Sequence, residues 1–306
     1  MPMTELFECI PNFSEGRCPE VLEAIRSAAR IPDVKVLGLS ADVDHNRSVL
    51  TLVGPGEALS EAVLRTMRVA VERIDLTQHQ GAHPRIGAVD VVPFVALGDS
   101  PEERAIQLAH RLGQRAAKEL KLPVFFYELA ALKPGRRNLA DVRRGQFEGL
   151  KDRLPHDPPD VGPAEPHPSA GAVAIGARRP LIAFNVHLGT DDIGLARTIA
   201  RAVRGASGGL SGVKALGFRL ASRGLVQVSM NLVNYRTTPL PRALELVRSE
   251  ARRFGVSVVS TELVGFMPMD AVIDVMQYYL QQPQFERGHI LEEAMFEAYE
   301  GRDDDE

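Results

Sequence analysis

The sequence predicts an α/β (α+β) protein made of two ferredoxin-like βαββαβ-type subdomains, residues 1–180 and 181–306. The order strand–helix–strand–strand–helix–strand can be read twice along the chain, and this order is typical of the split βαβ of ferredoxin-like folds. The composition, 44% hydrophobic and 25% charged, is that of a globular chain with enough residues for two cores. A ligand crevice is expected between the two subdomains.

The elements of the first half follow from apolar alternation and from helical periodicity. Strands are predicted over residues 5–11, 34–39, 48–53, 89–97 and 123–127, and helices over 19–29, 57–74 and 100–120. Ser100 is expected to open the third helix as a capping box, with Pro101 at the first helical position.

The second half repeats this order. Strands are predicted over residues 181–188, 213–221, 225–232 and 257–264, and helices over 190–203 and from 238 to about 254. Thr190 is expected to cap the first of these helices. Residues 155–169 contain six prolines and should form a long extended loop at the junction of the subdomains. The acidic residues 302–306 should form a frayed tail.

Charge and cysteine content restrict the class of protein. The formal net charge of -4 provides no general basic field to recruit nucleic acid. Two cysteines are too few for a disulfide framework and lack metal-ligand spacing. The start of the chain shows no secretory signal, and no apolar run is long enough to span a bilayer. We therefore expect a soluble cytoplasmic protein without membrane contacts.

Residues 79–94, HQGAHPRIGAVDVVPF, are the most informative segment. Two glycines and a proline exclude a helix interior, so the polar first part is a loop that leads into the strand at 89–97. On a helix, His79 and His83 could share a metal ion, but the predicted loop and the lack of Glu after His79 argue against a metal site. The loop brings titratable side chains together, as binding and catalytic loops do.

This segment resembles the H-x-G-x-H-P-R-x-G-A-x-D-V-x-P-F signature of the glutamate formimidoyltransferase (formiminotransferase) family. Further blocks match the family in chain order: ECIPNFSEGR at 8–17, DHNRS at 44–48, PDVGP at 159–163, HPSAGA at 167–172, GAR at 176–178, LIAFN at 181–185 and ELVG at 262–265. The resemblance extends over roughly residues 5–280, and its many ordered matches make it specific.

The resemblance implies transfer of the formimidoyl group from N-formimidoyl-L-glutamate to N5 of tetrahydrofolate, giving 5-formimidoyltetrahydrofolate and glutamate. This reaction belongs to histidine degradation and one-carbon metabolism. Tetrahydrofolate would be a co-substrate, and no metal or redox cofactor is implied. The family also implies a homodimer. The chain ends soon after the second subdomain, so a separate cyclodeaminase is expected for the next step.

The resemblance assigns the catalytic proton shuttle to His83, which aligns with the second histidine of the motif. Candidate substrate-binding residues are Arg85, Arg47, Asn46, His79 and Asp44. Each arginine could grip a substrate carboxylate, or could be the buried partner of Asp42, Asp44 or Asp90. His79 could contact substrate or could order the loop by hydrogen bonds.

Residues 162–171 align with the folate-binding segment of the family. Read by itself, this segment is a proline-rich loop that is held open at low entropic cost, which suits a wall against a flat pterin ring. His167 could be a ligand contact or a surface residue. The predicted folate-binding residues are Gly162, Pro163, Ala164, Glu165, Pro166, His167, Pro168, Ser169, Ala170 and Gly171.

Ala82 departs from the family, which usually has Glu before the catalytic histidine, and Val161 stands where the family has Phe. A missing Glu could lower the basicity of His83 or change the substrate. The alternatives that remain open are a related folate enzyme that uses formimidoylglycine or 5-formyltetrahydrofolate, and a non-catalytic folate-binding protein.

Overall fold

A computed structural model describes residues 5–300. The chain divides between Arg179 and Pro180 into two compact units, each with its own sheet and its own hydrophobic core. The prediction of two α+β subdomains is confirmed. The acidic tail predicted for 302–306 lies outside the described residues. Within residues 5–300, no helix is both long and apolar enough to cross a membrane.

The first unit is a seven-stranded sheet with helices. Its elements are β1 (Leu6–Cys9), β2 (Asn12–Phe13), α1 (Pro19–Ala28), β3 (Lys35–Asp42), β4 (Arg47–Gly54), α2 (Gly56–Arg73), β5 (Val89–Leu97), α3 (Glu102–Leu120), β6 (Val124–Glu128), α4 (Leu139–Val142), α5 (Leu150–Arg153) and β7 (Val173–Ala177). Both β1 and β2 pair antiparallel with β4 and β5, so they act as one interrupted strand. The spatial order β3–β4–β1/β2–β5 is that of the predicted ferredoxin-like fold.

Two parallel strands extend this sheet beyond β5. β7 pairs parallel with β5, and β6 pairs parallel with β7 at the far edge. The sequence analysis predicted β6 but missed β7. All five residues of β7, VAIGA, are buried. Parallel strands covered on both faces lack polar–apolar alternation, so this short run of small residues gave no strand signal. The four-residue helices α4 and α5 were missed because they are too short to show helical periodicity.

Residues 129–172, which we call the excursion, connect β6 to β7. The excursion contributes Val142, Leu150 and Leu154 to a second small core against Phe125 of β6. Charged side chains also anchor it. Arg136 pairs with Asp157 at 2.6 Å and with Asp160 at 2.5 Å, and its guanidinium lies 4.8 Å from the centre of the Phe125 ring.

The proline-rich loop lies within the first unit and not at the junction, because β7 follows it before the division at Arg179. Its end pairs with the backbone of residues 75–88, which we call the histidine loop. Leu76 N donates to Ser169 O at 2.8 Å, Ala88 N donates to Ala170 O at 3.0 Å, and Ala172 N donates to Ile86 O at 3.0 Å. The two predicted functional loops are therefore neighbours in space.

The second unit has a four-stranded antiparallel sheet in the order β11–β8–β10–β9. Its elements are β8 (Ile182–Leu188), α6 (Ile193–Val203), β9 (Val213–Leu220), β10 (Leu225–Leu232), α7 (Leu240–Arg253), β11 (Val258–Val264), α8 (Met269–Tyr279) and α9 (Leu291–Glu300). The first six follow the predicted order. The sequence analysis did not predict α8 and α9. In β8 and β10, every second side chain is apolar and packs in the core. The intervening positions include the buried polar residues Asn185, His187 and Gln227.

Both predicted helix caps were wrong. The hydroxyl of Ser100 accepts a hydrogen bond from Leu6 N at 2.8 Å, and α3 begins after Pro101 without a side-chain cap. For α6 the cap is Asp192, whose carboxylate accepts from Gly194 N at 2.7 Å, while Thr190 accepts from Asp192 N. In each case the hydroxyl accepts from a different backbone N–H, that of Leu6 or Asp192, and the local sequence does not show which N–H will donate to it.

Gly87→Ala should destabilise the first unit, because a Cβ at this position would lie 1.9 Å from the Ala172 carbonyl oxygen. Backbone on both sides would have to move, and overpacking of this kind costs at least about 1–3 kcal/mol. Gly135→Ala is the matched control, since its Cβ would meet no atom within 4 Å. Urea unfolding of both variants tests this, and equal midpoints would contradict the close pairing of the two loops.

Candidate active site

A buried carboxylate, Asp90 at the start of β5, organises the candidate site. Its side chain is 0% exposed. Arg47 from β4 donates to it at 2.7 Å, and Arg143 from the excursion donates to the same oxygen at 2.5 Å. The other carboxylate oxygen accepts from the backbone N–H of Ile86 at 2.9 Å. Asn12 of β2 also accepts two bonds from the Arg47 guanidinium, at 2.9 and 3.2 Å.

The charged groups in this cluster shift one another's pKa values. Burial alone would raise the pKa of Asp90, but the charges of Arg143 and Arg47 outweigh burial and hold the pKa of the carboxyl well below its usual range. Burial lowers the pKa of Arg47 to about 10, an effect that Asp90 opposes and Arg143 reinforces. Asp90 thus stays ionised at neutral pH, and two cations against one anion leave one net positive charge.

His83 lies in the histidine loop beside this cluster. Its Nδ1 is 2.8 Å from the carbonyl oxygen of Pro84. A carbonyl oxygen can only accept, so Nδ1 carries the proton, and in the neutral ring Nε2 is the nitrogen with basic character. The ring of His45 meets the His83 ring edge to face, with centroids 6.0 Å apart.

The pKa of the His83 imidazole is held well below its ordinary value. Removal from water is the largest cause, and the charges of Arg47 and Arg143 act in the same direction. Asp90 and the Pro84 carbonyl oppose the shift but do not cancel it. His83 is therefore neutral at physiological pH and can act as a proton acceptor.

His79 orders the loop through both ring nitrogens. Nδ1 accepts from Arg85 Nε at 3.1 Å, so the proton is on Nε2, which donates to the carbonyl of Asn46 at 2.9 Å. Burial lowers the pKa of His79, and the charge of Arg85 adds to this effect. A second ring proton would face the Arg85 N–H. This geometry matches the loop-ordering interpretation, and a substrate contact for His79 stays a prediction.

The guanidinium of Arg85 is held by Glu148, a residue of the excursion. Nη1 and Nη2 donate to the two carboxylate oxygens of Glu148 at 2.8 and 2.6 Å, a bidentate pair. The Arg85 side chain is buried, while that of Glu148 is 64% exposed. Phe147 N also donates to the Arg85 carbonyl at 3.0 Å. The pair therefore joins the histidine loop to the excursion at the surface.

The turn from Asp42 to Arg47 supplies the remaining candidates. Asn46 has a positive φ of 47°, which Asn tolerates better than most residues. Its side chain accepts from Gly16 N at 2.9 Å and donates to Gln80 O at 3.1 Å. The backbone oxygen of Asp44 accepts from Ala82 N at 3.1 Å. Asn46 thus ties three segments together, and Asp44 places the residue that precedes His83.

The predicted folate segment, residues 162–171, forms a closed turn. Gly162 and Gly171 have φ values of 97° and 68°, and the backbone groups of His167 and Gly171 bond to each other at 2.9 and 3.0 Å. His167 Nδ1 accepts from Ala170 N at 3.0 Å, so this ring orders the turn. The side chains of Ala164 and Glu165 are exposed.

The structure brings His83, Arg47, Arg85, Asn46 and His79 into one region, and the folate segment adjoins their loop. Sequence reasoning missed Arg143, Glu148 and the contact of His45 with His83. His45 belongs to the DHNRS block, but the excursion around Arg143 carries no pattern that predicts contact with β5. In residues 5–300, no three His, Cys, Asp or Glu side chains are grouped as a metal site.

Asp90→Asn should lower the free energy of unfolding by about 3–5 kcal/mol, because it leaves Arg47 and Arg143 buried without their anion. Asp141→Asn is the matched control. Its partner Arg144 lies at the surface, with 79% of the side chain exposed, so its removal should cost under about 0.5 kcal/mol. Chemical denaturation of both variants at neutral pH measures the difference.

The same pair of proteins gives a pH test. The folded pKa of Asp90 lies below that of the unfolded chain, which is about 3.9. Its stabilisation is therefore complete above that pH and is lost as the pH falls toward the folded pKa. The difference in free energy of unfolding between wild type and Asp90→Asn should become smaller below about pH 4. A difference that does not depend on pH would contradict an ionised Asp90.

Comparison with known proteins identifies the family to which the chain belongs. Residues 6–178 match the family model described as the formiminotransferase domain, N-terminal subdomain, and residues 183–296 match that of the formiminotransferase domain. The chain is 45% identical to a glutamate formimidoyltransferase of Streptococcus pyogenes serotype M1, over 93% of this chain and 96% of that protein. It is 46% identical to one of Thermoplasma acidophilum, over 96% and 98%.

The formimidoyltransferase-cyclodeaminase of Gallus gallus is 40% identical over 95% of this chain, a match that covers 55% of that longer protein. Two family models together cover most of the chain in the order of its two units, and relatives well above 30% identity are matched over nearly their full length. The chain therefore belongs to the formiminotransferase family.

Proposed function

We propose that this protein transfers the formimidoyl group from N-formimidoyl-L-glutamate to N5 of tetrahydrofolate, with His83 as the group that moves the proton. The observation that carries the proposal is a neutral imidazole whose Nε2 is the basic nitrogen, fixed beside a cationic cluster and next to the segment that aligns with the folate loop of the family.

The reaction needs two proton movements. Tetrahydrofolate supplies the nucleophile, the N5 nitrogen. His83 takes the proton that N5 loses as the new C–N bond forms, and it then gives a proton to the amine nitrogen of glutamate as the old C–N bond breaks. One imidazole that begins neutral and ends neutral performs both steps. Alignment of the two substrates supplies much of the remaining acceleration.

Residues 162–171 are proposed to hold the folate. Three backbone hydrogen bonds fix the end of this segment against the histidine loop, so a ligand on the segment would lie near His83. The turn is closed by its own bonds, while the side chains of Ala164 and Glu165 remain exposed and accessible. A preformed turn suits a rigid pterin because little order has to be gained on binding.

The anionic donor is proposed to bind at the arginines. Arg47, Arg143 and Asp90 leave one net positive charge near His83. The bidentate partner of Arg85 is the exposed carboxylate of Glu148, and a substrate carboxylate has the same shape and could replace it. Asp44 and Asn46 shape the turn beside the loop. We further propose a cytoplasmic homodimer that acts with a separate cyclodeaminase.

His83→Ala should reduce turnover by about 10²–10⁴-fold, the usual contribution of one general acid–base group. His156→Ala is the matched control, because this exposed histidine lies in the excursion and makes no side-chain hydrogen bond that the described structure records. His79→Ala should cost less than His83→Ala, since His79 orders the loop. Initial rates with N-formimidoyl-L-glutamate and tetrahydrofolate give the answer.

Binding of tetrahydrofolate to His83→Ala should stay close to that of wild type by calorimetry, since the folate segment is unchanged. If His83→Ala keeps near-parental turnover, the assigned proton shuttle is wrong. If the wild type turns over formimidoylglycine or 5-formyltetrahydrofolate and not formimidoyl-glutamate, the enzyme acts on a different donor.

Ala82→Glu should raise turnover at pH values where the His83 ring is neutral, because the ring is then a stronger base, and it should move the acid limb of the pH–rate profile upward. Ala82 is exposed and precedes His83, so a carboxylate there would favour the imidazolium and increase the basicity of the ring. Ala82→Gln is the control of matched size without the charge. Should both variants change the profile equally, the effect of position 82 is steric. A wild type without turnover that gains it with Ala82→Glu would be a degenerate folate binder.

A further inference from the structure

Arg143 reaches the candidate site from outside the ferredoxin-like part of the first unit. It follows α4 in the excursion, yet its guanidinium donates to Asp90 of β5 through Nη2 at 2.5 Å and through Nε at 3.4 Å. Its side chain is largely buried, with 14% exposed. None of the motifs that carry the family resemblance includes Arg143.

Asp90 connects Arg143 to the loop that bears His83. One carboxylate oxygen accepts hydrogen bonds from both Arg47 and Arg143. The other oxygen accepts from Ile86 N, three residues after His83. Arg143 therefore completes a closed set of contacts that joins the excursion, β4, β5 and the histidine loop.

In the described part of the chain, different elements supply charged and titratable groups around His83. Arg47 belongs to β4, Asp90 to β5, Arg143 to the excursion, and His45 lies edge-on from the turn before β4. Arg47 is also bound to Asn12 within the sheet, so it is part of the core framework. Arg143 is the cation of this set that depends on the docking of the excursion.

We propose that Arg143 is a positioning residue for the proton transfer at His83: through Asp90 it fixes the histidine loop and brings a cation to the site. The charge of Arg143 then acts with that of Arg47 against protonation of the imidazole. The inference rests on the proposed function, since it concerns how His83 is prepared for that reaction. Removal of Arg143 leaves Asp90 paired with Arg47 and with Ile86 N, so the variant retains a partner for each buried charge.

The kinetic test compares Arg143→Gln with Arg143→Lys. Loss of the cation should let the imidazole protonate at higher pH, so the acid limb of kcat/KM moves upward. The loss relative to wild type should be large near about pH 6 and small near about pH 8.5, at about tenfold for each unit by which the limb moves. Arg143→Lys retains the charge and should restore the wild-type profile.

Arg144→Gln is the control for charge. It removes the same charge one position along the chain, where the guanidinium pairs with Asp141 at the surface, and its pH profile should match wild type. Urea unfolding of all the variants shows whether each is folded under the assay conditions, so a loss of stability is not mistaken for a shift of the profile.

A titration of histidine ring signals by NMR gives a readout that does not require activity. The His83 signal is identified by its absence in His83→Gln. In Arg143→Gln this signal should titrate at higher pH than in wild type. In Arg143→Lys it should titrate at the same pH as in wild type. An unchanged His83 titration in folded Arg143→Gln overturns the inference and leaves Arg143 as a structural link. Full activity of His83→Ala would show that His83 is not the proton shuttle. That result is read from turnover and not from the titration in Arg143→Gln, so the two failures can be told apart.

Discussion

The buried ionised carboxylate of Asp90 is the constraint around which the candidate site is built. A carboxylate with no exposed surface requires cations and hydrogen-bond donors on every side. These come from β4 through Arg47, from the excursion through Arg143, and from the histidine loop through Ile86 N. Three segments that are distant in sequence must therefore meet at one point, and the position of His83 follows from that meeting.

The parallel pairing of β7 with β5 and β6 explains why the two predicted functional loops are neighbours. A parallel strand cannot be reached by a tight hairpin, so the chain needs a long crossover. Here the excursion is the crossover from β6 to its parallel neighbour β7, and its last residues pair with the histidine loop immediately before β7 joins β5. The same connection that completes the sheet carries the predicted folate segment, Glu148 and Arg143 to the candidate site.

The cationic surroundings of His83 have a consequence for both halves of the proposed reaction. They disfavour the imidazolium, so the ring begins as a neutral base, and once protonated it gives up its proton readily. Arg47 and Arg143 favour this behaviour, and Asp90 limits it. With Ala82 in place of the usual Glu, no carboxylate stands at the position before His83, and the charge of Asp90 opposes the lowered pKa of this ring.

The sequence by itself determined the order of elements in both units, the loop that carries His83, and the family, because periodicity and motifs are local properties. It left Arg47 and Arg85 open between ligand binding and ion pairing, and it missed β7, Arg143 and Glu148. The tertiary structure gives these two arginines ion pairs with Asp90 and Glu148, and it shows β7 and Arg143, because a parallel crossover brings together residues about fifty positions apart, such as Asp90 and Arg143. The predicted cap of α3 shows the same limit: the Ser100 hydroxyl could accept from its own helix or from Leu6 N, 94 positions earlier, and in the folded chain it accepts from Leu6 N. The hydrogen-bond and ion-pair partners of a side chain depend on which groups are buried together, and only the folded chain determines this.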